Sequence, residues 1–220
     1  MKRRRDKRRR YKRRMYTGTA ILVIILIVLI INGMGKRFAG REYFELSDEE
    51  ITAEKPEIDV QLLDVNPYSR PGTETGKIKG IVVHYTANPG ATAMQNRNYF
   101  QGLKDSHQTE ASSHFIIGLE GEIVQCVPTW EVAYASNERN KDTVSIENCH
   151  PDESGNFTKE TYQSLVQLTS WLCQKFELTE EDVIRHYDVT GKICPKQFVE
   201  SEDTWERFRA DIKAALENQK

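Results

Sequence analysis

Ile81-Val82-Val83-His84-Tyr85-Thr86 is a run of β-branched residues that ends at a histidine. Ile81, Val82 and Val83 favour extended backbone, so a buried strand is expected over Ile78–Thr86. Side chains alternate across a strand, which puts Ile81 and Val83 on one face and Val82 and His84 on the other. His84 stands where the apolar run stops, at the C-terminal end, and ligands often bind at such edges. A lone histidine there is ordinarily a structural residue, so its meaning depends on what the rest of the chain supplies.

Working outward, Ala91–Leu103 reads as a helix. Ser113–Leu119 and Glu122–Val127 read as two short strands around the turn Glu120-Gly121. Thr143–Cys149 is a further strand. Thr158–Phe176 carries Tyr162, Leu165, Leu168, Leu172 and Phe176 on one helical stripe. Val183–Tyr187 is a short strand. Asp203–Glu217 closes the domain as a helix with Trp205, Phe208, Ile212 and Leu216 at helical spacing. Strands alternate with helices, which predicts an α/β layered domain.

The chemistry gathers in three places. In Arg185-His186-Tyr187-Asp188-Val189-Thr190-Gly191-Lys192-Ile193-Cys194-Pro195, His186 and Cys194 lie eight residues apart, and Gly191 lets the loop turn back. Imidazole nitrogen and thiolate are ligands of tetrahedral zinc. With His84 they make three protein ligands and leave the fourth position open, the composition of a catalytic site. The competing reading makes Cys194 a buried thiol. In Thr143-Val144-Ser145-Ile146-Glu147, Val144 and Ile146 face the core, so Ser145 and Glu147 face the other side. A carboxylate in so apolar a strand implies either a salt bridge or general-base work in a metal hydrolase.

These motifs resemble the N-acetylmuramoyl-L-alanine amidase type 2 family, which shares its fold with phage lysozyme-type amidases and peptidoglycan recognition proteins. The resemblance runs from about Ile78 to Phe198. It is carried in order by Val82-Val83-His84-Tyr85-Thr86, Ser112-Ser113-His114-Phe115, Val144-Ser145-Ile146-Glu147 and the segment His186 to Pro195. It implies a central mixed β-sheet flanked by helices. It implies zinc held by His84, His186 and Cys194, with Glu147 as the catalytic acid/base. The implied reaction is cleavage of the amide between N-acetylmuramic acid and L-alanine in peptidoglycan. Lys192 matches a lysine two residues before the cysteine ligand, where it would stabilise an oxyanion; a solvated loop charge is the alternative. His114 is assigned to the wall of the substrate cleft, with a hydrogen-bonded structural role as its alternative. Tyr85, Asn88 and Tyr134 are expected to line that cleft.

The chain departs from the family in two ways. Ser113 stands where phage-type members have a catalytic tyrosine, which moves weight onto Glu147. Val132-Ala133-Tyr134-Ala135-Ser136 lacks a histidine that many members carry. A binding module that recognises peptidoglycan without cutting it is the main rival. A zinc peptidase is disfavoured because no His-Glu-x-x-His motif occurs.

The 220 residues suit one domain plus appendages. Residues 1–15 hold eleven Lys/Arg and one Asp, a local +10 in a chain of net −2, so residues 16–220 carry −12. Ala20–Ile31 has no polar side chain; extended to Thr17–Met34 it would form a helix of ~27 Å, near a hydrocarbon core of ~30 Å. A basic cytoplasmic segment (1–15), a transmembrane signal anchor (16–34), a linker (35–60) and a zinc amidase domain (61–220) are therefore expected. The positive-inside rule would export the domain. A cleaved signal peptide is the rival reading of the apolar run and would also place the domain outside. With the membrane run adjoining the basic end, no nucleic-acid partner is expected. Four cysteines, Cys126, Cys149, Cys173 and Cys194, show no disulfide framework, though a Cys126–Cys149 bridge stays open.

Overall fold

The computed structural model of the chain describes residues 44–47 and 49–218. The expected basic segment and transmembrane anchor lie outside the described residues. Among the described residues no helix is long and apolar enough to cross a membrane.

Six strands form one mixed sheet: β1 (Asp59–Val60), β2 (Gly80–Tyr85), β3 (Phe115–Ile117), β4 (Ile123–Gln125), β5 (Thr143–Asn148) and β6 (Val183–Arg185), in the order β1-β4-β3-β5-β2-β6. All pairings are parallel except β3 with β4. Helix α1 (Ala93–Ser106) packs on one face. Helices α2 (Lys159–Phe176) and α5 (Glu202–Glu217) pack on the other, while α3 (His186–Thr190) and α4 (Lys196–Glu200) are single turns near the sheet end.

The alternation read from the sequence divides the interior in two. Ile81 and Val83 of β2, Val144 and Ile146 of β5, and Phe115 and Ile117 of β3 bury against Leu165, Leu168 and Leu172 of α2 and Phe208 and Ile212 of α5. Phe198 anchors this side, edge-on to Phe157 and stacked on Phe208 with centroids 5.0 Å apart. On the opposite face, Ile116, Val124 and Cys126 pack against Ala93, Phe100 and Leu103. Burying large apolar side chains at ~1.5–3 kcal/mol each makes both layers obligatory.

The helix ends follow from their flanking residues. Thr92 and Gln95 form a reciprocal capping box at the start of α1, and His107 ends it in left-handed backbone. Thr158 caps α2, and its hydroxyl also donates to the Leu119 carbonyl, while Thr161 donates to that of Gly118. The start of α2 thereby cradles the β3–β4 turn. Gly121 has φ +83°, and a Cβ there would come within 2.9 Å of the Glu160 carbonyl oxygen, so both conformation and space require glycine.

Two expectations change. Residues 44–60, expected as a spacer, lie against the domain from Phe44 onward. Phe44, Leu46 and Ile58 pack on the larger core, Ala53 is fully buried, and Asp59–Val60 join the sheet. Within this segment the Glu50 and Ile51 N–H groups donate to the Ser47 carbonyl. The strand expected over Val183–Tyr187 stops at Arg185, where α3 begins.

Candidate active site

The parallel register of β2 and β5 pairs His84 with Glu147. Both side chains leave the sheet on the face opposite the larger core, on strands ~4.8 Å apart. β6 flanks β2 on its other side, pairing through Val83↔Arg185. The ladder ends there because the Asp188 carboxylate accepts the Arg185 N–H at 2.8 Å and a bifurcated contact from the Arg185 guanidinium. The chain turns into α3 with His186 as its first residue. Gly191 closes this turn in left-handed backbone at φ 76°. The Tyr187 N–H donates to the Cys194 carbonyl at 2.9 Å, which brings the returning loop alongside. His84 and Cys194, 110 residues apart in sequence, thus meet.

The Cys194 Sγ lies 3.8 Å from His84 Nδ1. The two imidazole rings have centroids 4.7 Å apart at 59°. One donor atom from each of His84, His186 and Cys194 falls within 4.8 Å of the others, and all three residues are buried. Nδ1 of His186 is enclosed without a hydrogen-bond partner, and so are Glu147 Oε2, Thr86 Oγ1 and Asn148 Oδ1 at the C-terminal ends of β2 and β5. Buried polar atoms are ordinarily paired, and these four at one sheet end leave acceptors and a donor atom for something else to bind. Two imidazole nitrogens and one sulfur, converging with a position to spare, fit zinc.

The electrostatics favour the two imidazole donors and oppose the thiolate, whose proton a bound cation would have to displace. Burial, then the His186 and Lys192 charges, holds His84 well below the usual histidine value. Burial followed by Lys192 lowers His186 as well, against a smaller opposing effect of Glu138. Neutral imidazoles are the ligating form. Burial, aided by the Glu147 charge, pushes the Cys194 thiol up to about 12. Burial raises Glu147 to about 8, and Lys192 pulls in the opposite direction.

The remaining predicted residues are placed variously. Lys192 is exposed, and its charge is felt by His84, Glu147, His186 and Cys194. Tyr85 is half-buried on the larger-core face, its ring 5.1 Å from that of His150. His150 is buried, with Nδ1 2.8 Å from the Asp152 carbonyl oxygen. Asn88 is exposed and donates from Nδ2 to Asn96 Oδ1 at 3.3 Å. Tyr134 is half-buried and its N–H donates to Ser112 Oγ at 2.9 Å.

His114 does not fit the cleft wall expected of it. It is 1% exposed, its Nδ1 accepts the Ser145 N–H at 3.0 Å, and its Nε2 faces the Glu131 carbonyl at 2.9 Å. Burial lowers it to about 4. Both nitrogens are used inside the protein, so His114 ties the 128–136 loop to β5. Ser113 is fully buried and its hydroxyl donates to the carbonyls of Phe115 and Ser145. The four cysteines are free and buried, so Cys126 and Cys149 are not bridged.

Sequence reading missed Ser136 and Asn137. Ser136 Oγ lies 3.1 Å from His84 Nε2, and Asn137 Oδ1 lies 3.1 Å from His186 Nε2. Nothing in a polar loop before β5 signals contact with two histidines from β2 and α3.

The model of a protein family described as N-acetylmuramoyl-L-alanine amidase matches residues 74–197, a span that takes in every residue of this site. The chain belongs to that family. It is 35% identical over 167 residues to the N-acetylmuramoyl-L-alanine amidase CwlL of Bacillus licheniformis, covering 70% of this chain and 46% of that protein. It is 31% identical over 175 residues to the N-acetylmuramoyl-L-alanine amidase BlyA of Bacillus subtilis (strain 168), with the same coverages of 70% and 46%. The chain thus spans about half the length of these curated relatives. Among solved structures, the catalytic domain of XlyA aligns with a TM-score of 0.61 at 26% identity, over 71% of this chain and 99% of that one. The amidase-family fold is the mixed sheet and flanking helices described above.

Proposed function

We propose that this chain is a zinc-dependent hydrolase that cuts the amide bond between N-acetylmuramic acid and the L-alanine of the stem peptide in peptidoglycan. The observation that carries the reading is the convergence of His84, His186 and Cys194 within 4.8 Å, with Glu147 in register beside His84. Those three residues would hold the ion through the two Nδ1 atoms and Sγ. When bound, zinc supplies Lewis-acid polarisation of the scissile carbonyl and a nucleophile at neutral pH.

The protein's own groups do the rest. Glu147 accepts the proton of the attacking water and returns it to the departing alanine nitrogen. Burial favours the protonated form that the second half of the reaction needs, while the Lys192 charge, and a bound cation, would favour the carboxylate of the first half. Lys192 at the exposed rim faces the negative charge that develops on the carbonyl oxygen. Tyr85, Asn88 and Tyr134 contribute to the cleft around the muropeptide.

The placement we propose is outside the cytoplasm, held to the membrane through residues 16–34. The eleven basic residues before that apolar run support it. The test of function is mass spectrometry of defined muropeptides incubated with the full-length chain, with and without a zinc chelator. Release of a stem peptide with a free alanine amine, abolished by chelator and restored by zinc, is expected. Intact muropeptide in the presence of zinc-loaded, folded protein would overturn the hydrolase reading in favour of a binding module.

A further inference from the structure

We propose that Ser136 and Asn137 are positioning residues for the metal site: one dipeptide fixes the Nδ1 atoms of both His84 and His186 as the ligating atoms. The inference rests on the zinc reading above and extends it to residues that touch neither metal nor substrate.

The two contacts complement each other: the buried Ser136 hydroxyl can accept or donate, whereas the side-chain oxygen of the exposed Asn137 can only accept. His84 Nδ1 lies 3.8 Å from Cys194 Sγ and His186 Nδ1 is buried without a partner, while the Nε2 of each ring lies 3.1 Å from a side-chain oxygen of this loop. An imidazole has two nitrogens, and the partner of one determines which is free to bind a metal. With Nε2–H donating to Ser136 Oγ or Asn137 Oδ1, the Nδ1 lone pair is presented to the cation. With those oxygens gone, either ring could rotate or change tautomer.

The loop is built to hold this arrangement. Ser136 is 1% exposed, so its hydroxyl is not an incidental surface group. The Asn140 side-chain oxygen accepts the N–H groups of both Ala135 and Ser136. Asn137 itself adopts left-handed backbone at φ 52°, which asparagine tolerates better than most side chains. At this residue the chain enters a short 3-10 turn, Asn137–Lys141, and the adjacent Ser136 and Asn137 side chains reach rings carried on different elements.

The test measures zinc affinity of the full-length chain by competition with a chromophoric chelator. It compares wild type with Ser136→Ala, Asn137→Gly and Asn137→Asp. Asn137→Gly removes the acceptor and preserves the backbone; Asn137→Asp keeps an oxygen acceptor and the left-handed turn. Ser136→Ala and Asn137→Gly should each weaken zinc binding about 10- to 100-fold. Asn137→Asp should stay close to wild type. The metal-free proteins should melt alike, separating positioning from folding. In the zinc-loaded wild type, ring 15N spectra should show protonated Nε2 on both histidines. Unchanged zinc affinity in both loss variants would overturn the proposal while leaving the zinc reading standing, as would an Asn137→Asp variant as weak as Asn137→Gly. Failure of the wild type to take up zinc would overturn both.

Discussion

Replacing Arg185 with alanine should destabilise the metal-free domain by about 3 kcal/mol, at the low end of the ~3–5 kcal/mol for removing one partner of a buried pair. The Arg185 side chain is 11% exposed. Its guanidinium donates to Asp188 at 2.8 and 3.1 Å, and to the Phe198 carbonyl at 3.0 Å. It also lies over the rings of Tyr187 and Trp205, at 5.5 and 5.2 Å. The contact with Glu202 adds little, because that carboxylate is 64% exposed and well screened. Asp188 is 29% exposed, so water partly compensates it after the arginine is lost, which keeps the cost at the low end. For a domain of this size, ~3 kcal/mol corresponds to a fall in Tm of about 6–12 °C. The assay is thermal and urea unfolding followed by circular dichroism, with chelator present so that zinc linkage does not contribute. Arg185→Lys should recover only part of the loss, since an ammonium cannot reproduce the planar fork. A loss below about 1 kcal/mol for Arg185→Ala, the range of an exposed ion pair, would refute the reasoning.

Glu147→Gln should retain zinc while lowering kcat about 10²- to 10⁴-fold, the usual contribution of a positioned acid or base; full activity in a zinc-loaded variant would remove Glu147 from the chemistry. Lys192→Met should lower kcat by about tenfold, less than the ~10²–10³ of a buried oxyanion donor because Lys192 is exposed; a change in KM alone would make it a binding residue. Burial raises the Asp211 carboxyl above its ordinary value, partly opposed by the Tyr162 hydroxyl at 2.6 Å and by Arg207. The native state therefore holds this proton more tightly than the unfolded chain. Its stabilising contribution is complete below the unfolded carboxylate range and is lost as pH rises through the folded value. Asp211→Asn, which keeps an acceptor for Tyr162, should gain stability relative to wild type between acid and neutral pH, and a pH-independent difference in urea midpoints would contradict this.

Much of the architecture could be read from periodicity. The alternation in Ile81–His84 and Val144–Glu147 assigns side chains to faces correctly, because both faces of a central sheet are covered and a one-residue slip would exchange them. The stripe on α2 was legible for the same reason. His114 was harder. Its assignment to a cleft wall rested on the family resemblance, but the 128–136 loop folds over it and takes its Nε2 through a main-chain carbonyl, which no side-chain pattern announces. The end of β6 depended on one capping interaction, Asp188 with the Arg185 N–H. Ser136 and Asn137 were invisible because their contacts depend on a left-handed residue in a loop, where spacing carries no information about direction. The segment from Phe44 to Val60 looked like a spacer because its apolar residues are sparse and aperiodic, yet a few of them suffice to fasten it.

That fastened segment has a consequence for how the protein keeps to itself among other chains. A sheet that stops at a bare strand offers unpaired amides and carbonyls to any passing extended chain. Here β4 is covered by β1, only two residues long, and the covering continues as the Gln61 and Leu63 N–H groups donate to the carbonyls of Gln125 and Cys126. The opposite margin is the three-residue β6, which ends at once in a helical turn. Both borders are too short to template a foreign strand. Trimming the chain at Gln61 would strip the hem from β4, leaving a fragment whose failure would show first as self-association.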